Sequence, residues 1–190
     1  MNKKLAAALS GGAVLVLALS GCGGDDSSEK LNSWAKEVCD EVQPQAKKIE
    51  AANTSIQKQT SDNSTPADVQ KTDSQAFQDM SDAYKAIGAA VTKAGAPEVE
   101  NGEKKKADAV KELNGISTSY ADLKKQVDAL DTKDQGKFAD GLKDIATELD
   151  KLGQSGNVAL NKLQEGEVGQ AMAKQESCKS ASGSPSATNG

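Results

Sequence analysis

The chain has 190 residues, 23 basic and 28 acidic side chains, and a formal charge of −5. Every basic residue is lysine and there is no histidine, which removes the bidentate arginine clamp and the usual general base and metal ligand; net acidity also speaks against a nucleic-acid partner, which needs clustered positive charge. The length suits one domain, and an apolar content rich in alanine, with Trp34, Phe77, Tyr84, Tyr120 and Phe138 as the aromatics, fills a long, thin core rather than a thick one.

The first element is a targeting segment. Lys3 and Lys4 precede an apolar run from Leu5 to Leu19, interrupted by Ser10-Gly11-Gly12, and small residues lead to Cys22. A positive start, an apolar run of about 7–15 residues and a small-residue cleavage site make a secretory signal peptide. A membrane span needs about 20 apolar residues. Leu19-Ser20-Gly21-Cys22 resembles the lipobox of bacterial lipoproteins, a resemblance confined to residues 1–24. It implies cleavage before Cys22 and a diacylglyceryl group, with acyl chains such as palmitate, on the Cys22 thiol. It also implies a place on the extracytoplasmic face of the cell membrane. Burial of acyl chains contributes about 0.8 kcal/mol per methylene, and two chains anchor stably where one does not. The competing reading is an ordinary signal peptide with a chance cysteine. Gly23-Gly24-Asp25-Asp26-Ser27-Ser28 has the composition of a flexible linker. The expected organisation is signal peptide 1–21, lipidated tether 22–28, helical bundle 29–179 and disordered tail 180–190.

From Glu29 to about Ser61, apolar residues recur every three or four positions (Leu31, Trp34, Ala35, Val38, Cys39, Val42, Ala46, Ile49, Ala52, Ile56), the mark of an amphipathic helix. Pro44 is expected to kink or divide it. A second helix is expected from Thr65 as N-cap with Pro66 at the first helical position, its inner face running from Val69 through Phe77 and Tyr84 to Ala94. Gly95-Ala96-Pro97 stops it. The third is expected over about Glu98–Leu130, with Ala107, Val110, Leu113, Ile116, Tyr120, Leu123 and Val127 as its stripe and Gly115 as a weak point.

Thr132-Lys133-Asp134-Gln135 fits a capping box for a fourth helix carrying Phe138, Leu142, Ile145, Leu149 and Leu152. The pattern resumes at Val158, Leu160 and Leu163, and again at Val168, Ala171, Met172 and Cys178. Each of the first three helices spans about 45 Å at 1.5 Å per residue, and one helix from Lys133 to Cys178 would overshoot them. A break is therefore expected at Gly153–Asn157 or Glu165–Glu167. Short connections make neighbours antiparallel. The expected fold is all-α: an up-down-up-down antiparallel helical bundle with a broken or five-segment last arm.

With Cys22 assigned to lipid, Cys39 and Cys178 remain, an even pair in an oxidising compartment. A Cys39–Cys178 disulfide is expected, and reaching Cys39 requires the Val168–Cys178 segment to fold back along the bundle. The alternative is two free redox thiols, without a Cys-x-x-Cys motif to support it.

Other groupings are weaker. Asp131 to Gly136 outlines a calcium loop, but Lys133 and Leu142 stand where ligands belong, and a helix start with acidic residues near its positive end accounts for it. Glu103-Lys104-Lys105-Lys106 is the densest basic run. Three lysines are few for anionic-lipid binding, and a solvated helix face explains them. Trp34 reads as core, with a pocket near the tether as the rival reading. Tyr84 and Tyr120 read as core with hydroxyls needing partners. No phosphate loop, Cys/His metal spacing or nucleophile elbow is present, so no catalytic residue, cofactor or metal is assigned.

The functional expectation is a membrane-anchored extracytoplasmic lipoprotein with a non-catalytic binding or structural role, meeting the membrane through the lipid on Cys22 and a protein or cell-envelope partner through its body. In overall style it is similar to small secreted lipoproteins of high-GC Gram-positive bacteria. Two alternatives stand beside it: a carrier of a small apolar ligand near Trp34, Phe77 and Tyr84, and an accessory component of a transporter.

Overall fold

The computed structural model describes residues 24–59, 64–155 and 158–181, and its helices are α1 (Gly24–Gln59), α2 (Pro66–Ala94), α3 (Gly102–Asp128), α4 (Gln135–Ser155), α5 (Val158–Leu163), α6 (Glu167–Ala173) and α7 (Glu176–Ala181). No strand occurs among the described residues. The signal segment, Cys22 and residues 182–190 of the expected tail lie outside them.

α1 starts at Gly24, so residues 24–28 of the expected linker are helical. Asp26 in the first turn suits the positive end of the helix dipole. Pro44 lies inside α1 without dividing it. The backbone bond it forfeits is to the carbonyl of Asp40, and both residues are exposed, so water can serve the orphaned carbonyl. α2 begins as expected. Thr65 is its N-cap, accepting from the Asp68 amide at 3.2 Å, with Pro66 in the first turn.

α3 starts later than expected. Asn101 takes a left-handed conformation (φ 57°). Residues 97–102 form a hydrogen-bonded turn, with the Val99 amide donating to Pro97 O at 2.8 Å and the Gly102 amide to Val99 O at 3.0 Å. A Cβ on Gly102 would lie 2.0 Å from Pro97 O, so only glycine admits this approach. The buried register of α3 also differs near its start, with Ala109 inside and Ala107 exposed. The expected capping box at Thr132 does not form. Asp134 Oδ1 instead accepts from the Lys137 amide at 3.1 Å, and the helix begins at Gln135, two residues later.

α2 lies between α1 and α3 and packs along both. Cross-helix contacts establish the antiparallel order. Trp34 Nε1 donates to Gly95 O at 2.9 Å, and Ser81 and Ser117 each donate to the other's carbonyl at 2.8 Å. Gln126 Nε2 meets Glu148 at 2.6 Å. The last arm is broken, as expected, into α4 to α7. α4 and α5 run back along α3. The chain then reverses at Gln164–Gly166, and α6 and α7 follow α1 from its start toward its middle, where Cys178 joins Cys39 with Cα atoms 5.0 Å apart.

The core is therefore divided lengthwise. At the end bearing the α1 N-terminus it contains Leu31, Trp34, Val38, Val91, Leu113 and Val168, among others. At the far end Ala52, Phe77, Met80, Leu123, Val127 and Ile145 pack together. Between Cys39 and Ala52, α1 has no fully buried residue. Its neighbours α6 and α7 cover its N-terminal half and leave the middle to solvent.

Candidate functional site

The cysteine pair is bridged as expected. Ser177 donates to Asp40, and Gln175 Nε2 to Asn32 O at 3.5 Å, on the same seam. Asp40 is held below the usual carboxylate range by its bonds from Lys36 and Ser177. The seam is a clasp for α7, with Cys39 fully buried. Cys22 lies outside the described residues.

Trp34 is 6% exposed, and its indole N–H is satisfied by Gly95 O. It is a core residue whose edge reaches a shallow cleft of about 520 Å³, lined also by Asp26, Glu29, Lys30, Glu37 and Glu98. The walls are ion-paired. Lys30 meets Glu98 at 3.2 Å, and Lys93 reaches Glu41 at 3.4 Å and Glu37 at 3.6 Å. A second cleft, of about 300 Å³, lies across α1 against α6 and shares Glu98, with Ser28, Gln170 and Lys174 on its wall. The pocket near the tether is thus an open cleft of mixed lining, with Ala94 and Ala96 beside the charged residues, and not an enclosed apolar cavity.

The other aromatics do not line these clefts. Phe77 is buried and meets Tyr120 with ring centroids 6.1 Å apart. Tyr120 stacks on Tyr84 at 5.6 Å. Burial raises both phenols, Tyr120 to about 12 with Tyr84 beside it. This stack joins the two halves of the core at the waist of the bundle.

The basic run is a helix face with its charges engaged. Lys104 pairs with Asp108 at 2.6 Å and Lys106 with Glu103 at 2.7 Å, while Lys105 Nζ donates to Lys162 O at 2.7 Å and ties α3 to α5. In the Asp131–Gly136 turn, Asp131 accepts from the Lys133 amide at 2.9 Å. Asp134 is held below the usual range, chiefly by the backbone N–H of Lys137 and then by its side chain. Both carboxylates serve the backbone. No cluster of three or more metal-ligating side chains occurs among the described residues.

Two features escaped the sequence reading. One is a groove of about 500 Å³ between the second half of α1 and the first half of α2. Ala51, Ala52, Ser55, Thr72 and Ala76 form its floor and Asp68, Lys71, Gln75 and Asp79 its rim. Small residues on both facing helices leave the surface hollow, and that coincidence was the available signal. The other is Asp73. It is 8% exposed, its Oδ1 has no hydrogen-bond partner, and burial pushes its carboxyl up to about 6. It falls four residues after Val69 and four before Phe77, an apolar-face position holding an acid. Apart from Asp73, the partnered polar side chains named above form caps, ion pairs and interhelical bonds around open clefts, an arrangement that can bind by surface complementarity. No family model, curated protein or solved structure matches this chain.

Proposed function

We propose that the protein is a lipid-anchored lipoprotein of the extracytoplasmic membrane face, with a non-catalytic binding or structural role toward a protein or polymer of the cell envelope. The observation that carries this reading is Leu19-Ser20-Gly21-Cys22 placed directly ahead of a helical bundle. The Cys39–Cys178 bridge supports it, because disulfides persist in oxidising compartments. The non-catalytic role is supported by the use of polar side chains within the bundle: Ser81 and Ser117 bond each other's helix, and the capping and surface carboxylates described above hold backbone amides or lysines.

The test is Cys22→Ala in the native host. The expected result is transfer of the protein from the membrane fraction to the soluble one, with loss of the acyl mass by intact-protein mass spectrometry. A variant that stays in the membrane fraction refutes the anchor.

A further inference from the structure

The anchor and the bundle together imply an orientation, and this inference rests on the lipoprotein reading above. α1 begins at Gly24, two residues after Cys22. Whatever their conformation, two residues reach at most about 7 Å, whereas a flexible seven-residue tether would reach about 25 Å. The lipid is therefore attached close to one end of a helix that runs for 36 residues, about 54 Å.

That end is well defined. Lys30 pairs with Glu98, so the Gly95–Asn101 turn lies beside the start of α1. Ser28 shares a cleft with Gln170 and Lys174, so α6 lies there too. The surface offers the bilayer neither an apolar wedge nor surplus positive charge. The one large apolar side chain prominently exposed among the described residues is Val158, on α5. Asp26, Glu29, Glu98, Glu100, Glu165 and Glu167 mark this end, and Lys104 and Lys106 near it are already paired. The flanks are no better fitted to lie down. The chain is net acidic, and a flank about 54 Å long laid flat brings more of that net charge within about 8 Å, one Debye length, of an anionic headgroup layer than one end of the bundle does.

We propose that the bundle stands end-on to the bilayer, with the α1 start, the Gly95–Asn101 turn and the α6 start as its membrane-facing surface. The α1–α2 groove then faces outward. Ala52 on its floor lies 28 residues along α1 from Gly24, about 42 Å, which places the groove within reach of envelope partners rather than of lipid.

Energy transfer to a headgroup dye tests this. With Cys22 acylated and Cys39 and Cys178 bridged, an added cysteine is the one free thiol. Glu100→Cys and Lys133→Cys place a fluorophore at exposed sites near opposite ends of α3, a helix of 27 residues or about 40 Å. Full-length lipidated protein is reconstituted in phosphatidylcholine–phosphatidylglycerol vesicles and floated with them. The expected result is transfer several-fold stronger from position 100 than from position 133. A flexible Gly/Ser insertion between Gly23 and Gly24 is expected to shrink that ratio. Flotation with equal or reversed transfer overturns the orientation and leaves the anchor standing. Failure to float overturns both.

Discussion

Asp73 supplies the sharpest test of the packing. Its carboxyl is 8% exposed and its Oδ1 has no partner, and it titrates at about 6 in the fold against 3.8 when free. The cause is desolvation, which disfavours the charged form. The folded state therefore binds this proton more tightly than the unfolded state. The resulting stability is fully present below the unfolded value, falls as pH rises through about 6, and is absent at neutral pH. At ~1.4 kcal/mol per tenfold, ionised Asp73 costs the fold up to about 3 kcal/mol above pH 7.

The perturbation is Asp73→Asn, which keeps the shape and removes the charge. Urea unfolding is followed by far-ultraviolet circular dichroism, with the disulfide intact, near pH 4 and near pH 7.5. The quantity of interest is how the stability difference between variant and parent changes with pH. Carboxylates held low, such as Asp40, Asp108, Asp128 and Asp134, lose stability as pH falls, but they act equally in both proteins and cancel. The variant is expected to gain about 2–3 kcal/mol on its parent between the two pH values. A difference that does not move with pH refutes the reasoning, because Asp73 would then be as well solvated or partnered in the fold as in the unfolded chain.

Breaking the clasp with Cys39→Ser plus Cys178→Ser opens a loop with a sequence separation of 139; the chain-entropy model gives a loss of about 5 kcal/mol, read as a lowered denaturation midpoint with faster amide exchange in α6 and α7 than in α2. Gly115 sits mid-helix on α3 with nothing within 4 Å of an added Cβ, so Gly115→Ala is expected to stabilise by about 1 kcal/mol in the same urea assay; a loss there refutes the exposed helical placement. Trp34→Phe deletes the indole bond to Gly95 O and leaves that carbonyl unserved, at an expected cost of about 1–3 kcal/mol, measured by thermal unfolding. Ser81→Ala and Ser117→Ala each remove one hydroxyl donor while its main-chain acceptor stays in place, so each is expected to cost about 1 kcal/mol and the double substitution about the sum, read in the same urea assay.

Much of the helical layout was legible because it is local. Thr65-Pro66 and Gly95 punctuate α2, and the three-and-four spacing of Leu31, Trp34 and Val38 specifies one buried face whatever lies opposite. The expected antiparallel bundle followed from helix lengths and short turns. The proposed anchor rests on residues 19–22 alone, because a lipobox is read as sequence, before any fold exists.

The departures arose where a pattern in the sequence admits more than one local geometry, or where burial depends on what packs opposite. Thr132 and Asp134 are both competent caps, and Asp134 took the role. α3 starts at Gly102 because Pro97 O closes on it, a contact that spacing does not encode. Pro44 predicts a break by backbone chemistry alone, yet α1 continues through an exposed stretch held at both sides by other helices. The α1–α2 groove exists only when two runs of small residues face each other. Asp73 is one polar residue in an apolar stripe, and the cost of its position depends on how completely its neighbours shut out water. Periodicity and composition thus determined which elements form and which faces they bury. Tertiary packing decided which small-residue faces stay hollow, which stretch of α1 is left uncovered, and which carboxylate loses its solvent, because these outcomes depend on atoms brought together from distant parts of the chain.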